Sequence, residues 1–298
     1  MKALVLGGSY FIGRALVETL VSEGFEVWIL NRGTRKSTSD LGVRQLVADR
    51  HNYESLDTAL KGRYFDVVYD LSGYDEGDVE KTSLLLRENV NHYIFLSSIA
   101  VCKQPPLTWP ITEEHEKCSK VTDNEYGFNK WQAEKHLFAK SESGWFNTTT
   151  IRPTYVYGPR NYDSRESYIF RRIMAGLPIV IKGSGDNIVQ LGYVYDLAQA
   201  LQKVACDKRS YATSFNVSGR ELPTVKEIIR TVEEITGRDA QTICVHDHPD
   251  LTQEVCGFPA VDRYAEVAKI EKVLRIVPTR DILSGMTETY RYLVEHGM

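Results

Sequence analysis

The chain opens with a glycine loop wedged between a strand and a helix, in Leu4-Val5-Leu6-Gly7-Gly8-Ser9-Tyr10-Phe11-Ile12-Gly13-Arg14. Ala3–Leu6 reads as a buried strand, and Arg14–Glu23 as a helix with Ala15, Leu16, Leu20 and Val21 on one side. A turn this tight needs Gly7, and Gly13 lets the helix lie close to the strand. The helix N-terminus then presents backbone amides to an anion such as a pyrophosphate. A ligand-free turn would use the same glycines, so the next strand ends have to decide between the two readings.

Five further strand candidates follow: Val27–Leu30, Arg44–Val47, Asp66–Tyr69, Tyr93–Leu96 and Thr148–Arg152. They are short, rich in β-branched and aromatic residues, and separated by helix-length intervals. Such alternation predicts an α/β fold, a doubly wound parallel (Rossmann) sheet covered on both faces. After Pro159 the rhythm changes. Leu177–Ile181 and Ser214–Ser218 read as strands, and Leu197–Ala205, Val225–Thr236, Glu266–Leu274 and Asp281–Glu295 as helices. The expected organisation is a dinucleotide-binding Rossmann domain over residues 1–160, with a return segment near 189–218. Residues 161–298 form mainly a smaller C-terminal α/β substrate-binding lobe. With 298 residues, 42% of them hydrophobic and 26% charged, the chain can bury cores for both.

Cofactor contacts are expected from Gly7, Ser9, Tyr10, Phe11 and Ile12 in the loop. The second strand ends in Asn31-Arg32-Gly33, with Arg35 and Lys36 beyond. An acid there would bind the ribose 2′-hydroxyl of NAD, whereas an arginine accommodates a 2′-phosphate, so Arg32 favours NADP over NAD. A solvated basic loop is the alternative. Asp49 ends the third strand, placed to accept from an adenine amino group. Leu71-Ser72-Gly73, ending the fourth strand, passes beneath the cofactor, and Ser97 and Pro153 end the strands that reach the nicotinamide.

Tyr126 and Lys130 open a helix and share a face at i, i+4. A tyrosine titrates near ~10 in water, so acid/base work near neutrality needs a cation beside it. Lys130 supplies one. Ser98, at the end of the preceding strand, is placed to polarise a carbonyl next to the tyrosine.

These residues resemble the extended short-chain dehydrogenase/reductase superfamily, in its NAD-dependent epimerase/dehydratase branch. The resemblance covers nearly the whole chain. Its signposts are Gly7–Gly13, Ser97–Val101, Thr112-Glu113, Tyr126–Lys130 with Glu134, Ile151–Pro159 and Tyr193–Ala198. It implies an NAD(P)-dependent oxidoreductase, epimerase or dehydratase acting on a sugar, above all a nucleotide-sugar. Tyr126 would be the acid/base, Lys130 would hold the nicotinamide ribose and lower the tyrosine's pKa, and Ser98 would bind the reacting oxygen. It also implies a homodimer built on the Tyr-x-x-x-Lys helix, where Trp131 and Phe138 line the interface or belong to the core.

Three positions depart from the family. Tyr10 stands at the motif's middle glycine, as a bulky residue does in a subgroup that includes chloroplast stem-loop-binding proteins. Val189 replaces an arginine that commonly holds a substrate phosphate, and Cys102 a tyrosine. The subgroup suggests a second reading, a regulatory protein that binds RNA or protein. A net charge of -4 argues against a general nucleic-acid binder.

Other features exclude more than they assign. The five cysteines form no C-x-x-C pair, which fits neither a disulfide framework nor zinc and suits a reducing compartment. His246-Asp247-His248 sits in a loop with no further ligand implied, so no metal is expected. No run approaches the ~20 apolar residues of a membrane span. The first residues feed a glycine loop rather than a cleavage site, and the expected location is the cytoplasm. Tyr162, Arg165, Tyr168 and Arg171 either bind a sugar or phosphate or form a helix face.

Overall fold

A computed structural model describes residues 1–34, 39–245 and 254–297. The chain divides into two compact units, the first comprising Met1–Pro153, Leu197–Val217 and Glu266–Val277. The second comprises Thr154–Asp196, Ser218–Ala265 and Pro278–Met298. Glu266–Val277 thus belongs to the first unit although it lies late in the chain. Its helix buries Ile270 and Leu274 in the first unit, and the Glu266 N–H donates to Ile111 O at 2.9 Å. A short amphipathic helix carries no sign of which sheet it will cover.

The first unit begins with β1 (Lys2–Leu6), β2 (Glu26–Asn31), β3 (Arg44–Val47), β4 (Phe65–Asp70), β5 (Val90–Leu96) and β6 (Asn147–Pro153). Three strands of the second unit follow, β7 (Tyr155–Tyr157), β8 (Ile179–Lys182) and β9 (Leu191–Tyr193), before β10 (Thr213–Val217) rejoins the first. Strands of the first unit form one seven-stranded parallel sheet in the order β10-β6-β5-β4-β1-β2-β3. Successive residues of a strand face opposite sides, and Ala3, Leu4 and Val5 are all fully buried. At β1, in the middle of the sheet, both faces are therefore covered, which is why that strand reads as an unbroken apolar run.

Between the strands of this unit run α1 (Phe11–Ser22), α2 (Tyr53–Leu60), α3 (Glu76–Leu86) and α4 (Glu125–Glu142). Asn52, Asp75 and Asn124 cap the last three by accepting the N–H of Ser55, Asp78 and Gly127. Each such cap is worth about 1 kcal/mol. The order reverses at β1: the chain winds outward through β2 and β3, then restarts at β4 on the other side. Where it reverses, the carboxyl ends of β1 and β4 lie side by side, with Leu6 paired to Asp70. Open sheets of this kind bind ligands at that point.

In the second unit, β7 pairs with β9, and β8 with β11 (Thr242–Val245), both in parallel. Its helices are α5 (Glu166–Met174), α7 (Val225–Thr236) and α9 (Ile282–Glu295). Helix α6 (Val194–Val204) carries the chain back to the first unit, and α8 (Ala268–Leu274) is the short helix noted above. Helix α7 shows why its sequence was readable. Thr224 and Glu227 form a reciprocal capping box, Val225, Ile228, Ile229 and Val232 share the buried face, and Gly237 closes the end at φ 66°. Among the described residues no helix is long and apolar enough to cross a membrane.

One buried histidine ties the sheet to the return segment. His92 on β5 has no solvent exposure, and its Nδ1 accepts the Cys206 N–H at 3.0 Å. Nε2 must then carry the proton and donate to Thr149 Oγ1 at 2.8 Å. Burial pushes its pKa from 6.5 down to about 3. Below pH 6.5 the unfolded chain takes up a proton that the folded one refuses, so stability falls as pH drops toward 3. The expected slope from this group is about 1.4 kcal/mol per pH unit. Urea unfolding across that window checks it. His92→Gln should flatten the slope, and an unchanged slope would assign the acid sensitivity elsewhere.

Candidate active site

The carboxyl ends of β1, β2, β3 and β4 surround a pocket of ≈ 350 Å³, lined by Gly7, Ser9, Tyr10, Asn31, Arg32, Asp49 and Ser72 among others. At its floor the loop and α1 meet closely. Gly7 holds φ +90°, and a Cβ on Gly13 would lie 2.1 Å from the Gly7 carbonyl oxygen. Tyr10 needs no glycine, because as the residue before α1 it is extended at φ -149° and ψ 153°. The left-handed conformation falls on Phe11, at φ 44°, and Phe11 is buried. Packing of that ring compensates a backbone state that is unfavourable for an L-residue by about 1–2 kcal/mol.

The strand-end polar residues are held by one another. Asn31 donates to Ser9 Oγ at 2.7 Å, and its carbonyl oxygen accepts from the Gly33 N–H and Gln45 Nε2. Arg32 is exposed at the rim, as is Asp49, whose carboxylate accepts the His51 N–H at 3.0 Å. Arg35 and Lys36 lie outside the described residues, as does His246-Asp247-His248.

Two residues absent from the sequence reading organise the floor. Asp70, the last residue of β4, is fully buried, and Arg50 meets its carboxylate with two hydrogen bonds of 2.9 and 3.0 Å. The Tyr93 hydroxyl donates to Asp70 at 2.7 Å, and the N–H groups of Ser72 and Gly73 donate at 3.2 and 2.9 Å. Burial by itself would raise the Asp70 pKa, but Arg50 overrides it and holds the carboxyl below its ordinary value. Arg50 also donates to Ser72 Oγ and to Asp78 O. Asp70 ends an apolar strand and Arg50 lies in the turn three residues past β3, and nothing local in the sequence paired them.

Lys130, buried on α4, donates from Nζ to Gly73 O at 2.6 Å and Leu96 O at 2.7 Å. An ammonium has three N–H groups, so one remains beyond these two. Burial pushes the Lys130 pKa down to about 8, against the pull of Asp70. Its Nζ lies 5.9 Å from the ring centroid of Tyr126 and 5.3 Å from that of Tyr74. Tyr126 is 44% exposed, so its ring faces solvent while the lysine does not. Tyr74, a further lining residue of the pocket, has its ring centroid 6.5 Å from that of Tyr126.

Ser98 is half-buried, and its Oγ accepts the Ala100 N–H at 3.1 Å. The Ser97 hydroxyl is buried with no hydrogen-bond partner among the described residues, while its N–H donates to Ile151 O at 2.7 Å. The axial position of α4 is set by Glu134, one turn past Lys130. It meets Arg152 of β6 in a fully buried pair, at 2.9 Å and 2.5 Å. Such a pair fixes geometry more than it adds stability.

The structure therefore brings Gly7, Ser9, Tyr10, Asn31, Arg32, Asp49 and Ser72 to one pocket. Lys130 touches its edge through Gly73, next to Ser72, and Tyr74 links it to Tyr126. Ile12 is half-buried on α1, Leu71 donates its N–H to Leu6 O, and Pro153 is the buried end of β6. The loop geometry, the exposed Arg32 and the orphaned Ser97 hydroxyl fit a dinucleotide. In the second unit the aromatic and basic set separates. Tyr168 is core, its hydroxyl donating to Glu254 O and accepting from Val180 N–H, whereas Tyr162 is 67% exposed. Tyr162 and Arg165 precede α5, so the four do not form one helix face. Val189 is buried and bridged to Arg263, so an arginine lies on the adjoining segment. Trp131 and Phe138 are half-buried and line an open groove together with Lys117 and Lys269.

The profile of the NAD dependent epimerase/dehydratase family matches residues 3–218. The chain is 32% identical to the chloroplast stem-loop binding protein of 41 kDa b from Arabidopsis thaliana over 307 residues, covering 97% of this chain and 78% of that one. It is 28% identical over 223 residues to an N-acetyl-alpha-D-glucosaminyl-diphospho-ditrans,octacis-undecaprenol 4-epimerase from Escherichia coli O157:H7, covering 67% of this chain and 62% of that one. Its fold is similar to that of a Thermus thermophilus UDP-glucose 4-epimerase solved with NAD, with a TM-score of 0.82, 20% identity and 99% of each chain covered.

Close contact between Gly13 and Gly7 makes the loop sensitive to a single methyl group. Gly13→Ala should force α1 away from the loop and lower stability by about 3 kcal/mol. Thermal unfolding measures this. A variant as stable as the parent would show that the two glycines are not in contact.

Proposed function

Because the chain belongs to the NAD dependent epimerase/dehydratase family, we propose that it is an NAD(P)-dependent oxidoreductase or epimerase acting on a sugar, a nucleotide-activated one above all. The observation that carries this reading is a buried ammonium, Lys130, set beside an exposed tyrosine and one residue from the dinucleotide pocket. A bound nicotinamide supplies the hydride acceptor and donor.

The chain's own residues manage the proton. Tyr126 exchanges it between its hydroxyl and the substrate oxygen, and the Lys130 charge favours the phenolate. With its pKa near 8, Lys130 remains mostly protonated at neutrality. Its remaining N–H is available to a ribose hydroxyl. Ser98 accepts from the Ala100 N–H through its oxygen, which leaves its own O–H to donate to the reacting oxygen. Most substrate contacts are assigned to the C-terminal residues past 160. There Arg263, on the segment bridged to Val189 and with its charge opposing the rise that burial gives the Tyr155 pKa, is suited to a substrate phosphate.

NADP is the favoured cofactor. Arg32 lines the pocket, and the strand end beside it carries Asn31, whose amide is committed to Ser9, Gly33 and Gln45, in place of an acid. A second reading follows from the relative of 32% identity, whose name describes stem-loop binding.

Tyr126→Phe keeps the ring and removes the proton. Turnover should fall about 10²–10⁴-fold with dinucleotide affinity retained. Near-parental turnover would overturn the mechanism. A parent protein that transfers no hydride to any sugar but binds stem-loop RNA with steep salt dependence would favour the second reading. Arg32→Asp should weaken NADP binding and spare NAD, as calorimetry would show; equal affinities in parent and variant would remove Arg32 from the ribose.

A further inference from the structure

Lys130 is a buried cation whose direct partners, the carbonyls of Gly73 and Leu96, carry no net charge. A lysine so placed tends to lose its proton unless a negative charge compensates. Four charged groups act on it: Asp70, Glu134 and Asp78 favour the ammonium, and Arg50 opposes it. Glu134 is committed to Arg152 on both oxygens, and Asp78 caps the Tyr74 N–H at 2.9 Å. The rings of Tyr74, Tyr126 and Phe95 complete the surroundings.

Asp70 differs from the other acids because a short path joins it to the lysine. Its carboxylate accepts the Gly73 N–H at 2.9 Å, and the carbonyl of the same Gly73 accepts from Lys130 Nζ at 2.6 Å. On its other side Asp70 is clamped by Arg50, which lines the dinucleotide pocket. We propose that the Arg50–Asp70 pair is a positioning element for Lys130: Asp70 sets the Gly73 carbonyl on which Nζ rests and sustains the ammonium charge, and Arg50 limits how much of that charge the lysine feels. A path of direct contacts thus runs from the pocket wall to the acid/base pair, through Arg50, Asp70, Gly73 and Lys130. The inference rests on the proposed function only for the use made of the charge.

The two partners should act in opposite directions, which a merely structural tie between β3 and β4 would not produce. Asp70→Asn removes the compensating charge and leaves Arg50, so Lys130 should titrate lower, by about one pH unit or more. Arg50→Gln leaves Asp70 charged by its three remaining donors, Tyr93, Ser72 N–H and Gly73 N–H, so Lys130 should titrate higher. The double variant should fall between them. Side-chain ¹³C NMR of the full-length protein carrying labelled lysine, with Lys130→Arg to assign the signal, reads this without any substrate. Circular dichroism reports folding. If Asp70→Asn does not fold, Arg50→Gln still decides: an upward shift supports the coupling and an unmoved Lys130 overturns it. Shifts of the same sign in both single variants also overturn it. Absent hydride transfer in parent and variants alike, with the opposite shifts intact, would sink the function and leave the coupling standing.

Discussion

A carboxylate cut off from water stays charged only if the protein replaces every hydrogen bond that water supplied. Asp70 meets that condition with Arg50, Tyr93 and the amides of Ser72 and Gly73. The interaction sits where the strand order reverses, with Asp70 opposite Leu6 of β1. It fixes the turn after β4, and that turn supplies both a wall of the pocket, at Ser72, and the carbonyl that holds Lys130. Loss of one partner from such a buried pair strands the other charge, a penalty of about 3–5 kcal/mol. The site therefore depends on a buried polar interaction at the carboxyl end of β4.

The glycine loop imposes the complementary constraint. Its backbone has to approach α1 more closely than any side chain allows, which is why Gly13 stands against the Gly7 carbonyl. Tyr10 occupies the intervening position without conflict, because an extended residue ahead of the helix tolerates any side chain. The departure from the family's glycine pattern is absorbed one residue later, at Phe11. Tyr10, 39% exposed, lines the pocket.

Much of this was legible along the chain. Period and composition located β1 to β6 within a residue or three at each end, because short runs rich in β-branched and aromatic residues, spaced by helix-length intervals, mark strands of such a sheet. The N-terminal side of α7 was readable from Pro223-Thr224, since capping is a local matter. The loop, Asp49 and Ser72 could be named because each follows a recognisable strand end. Arg50 and Asp70 could not. They are 20 residues apart, and a charge that closes an apolar strand, as Asp70 does, or follows one in a turn, as Arg50 does, reads as a boundary until its partner is known.

By itself the sequence determined the α/β class, the early glycine turn, the order of strands and helices, and the Tyr126–Lys130 spacing, all of which follow from local periodicity and backbone sterics. Tertiary structure alone decided which strand ends became neighbours. That choice gave Asp70 its arginine, buried Lys130 on two carbonyls, left the Ser97 hydroxyl without a partner among the described residues, and put Asn31 to work holding Ser9 and Gln45. The physical reason is that a side chain's charge and hydrogen bonding depend on what desolvates it. In a parallel sheet those neighbours come from strands far away in the chain.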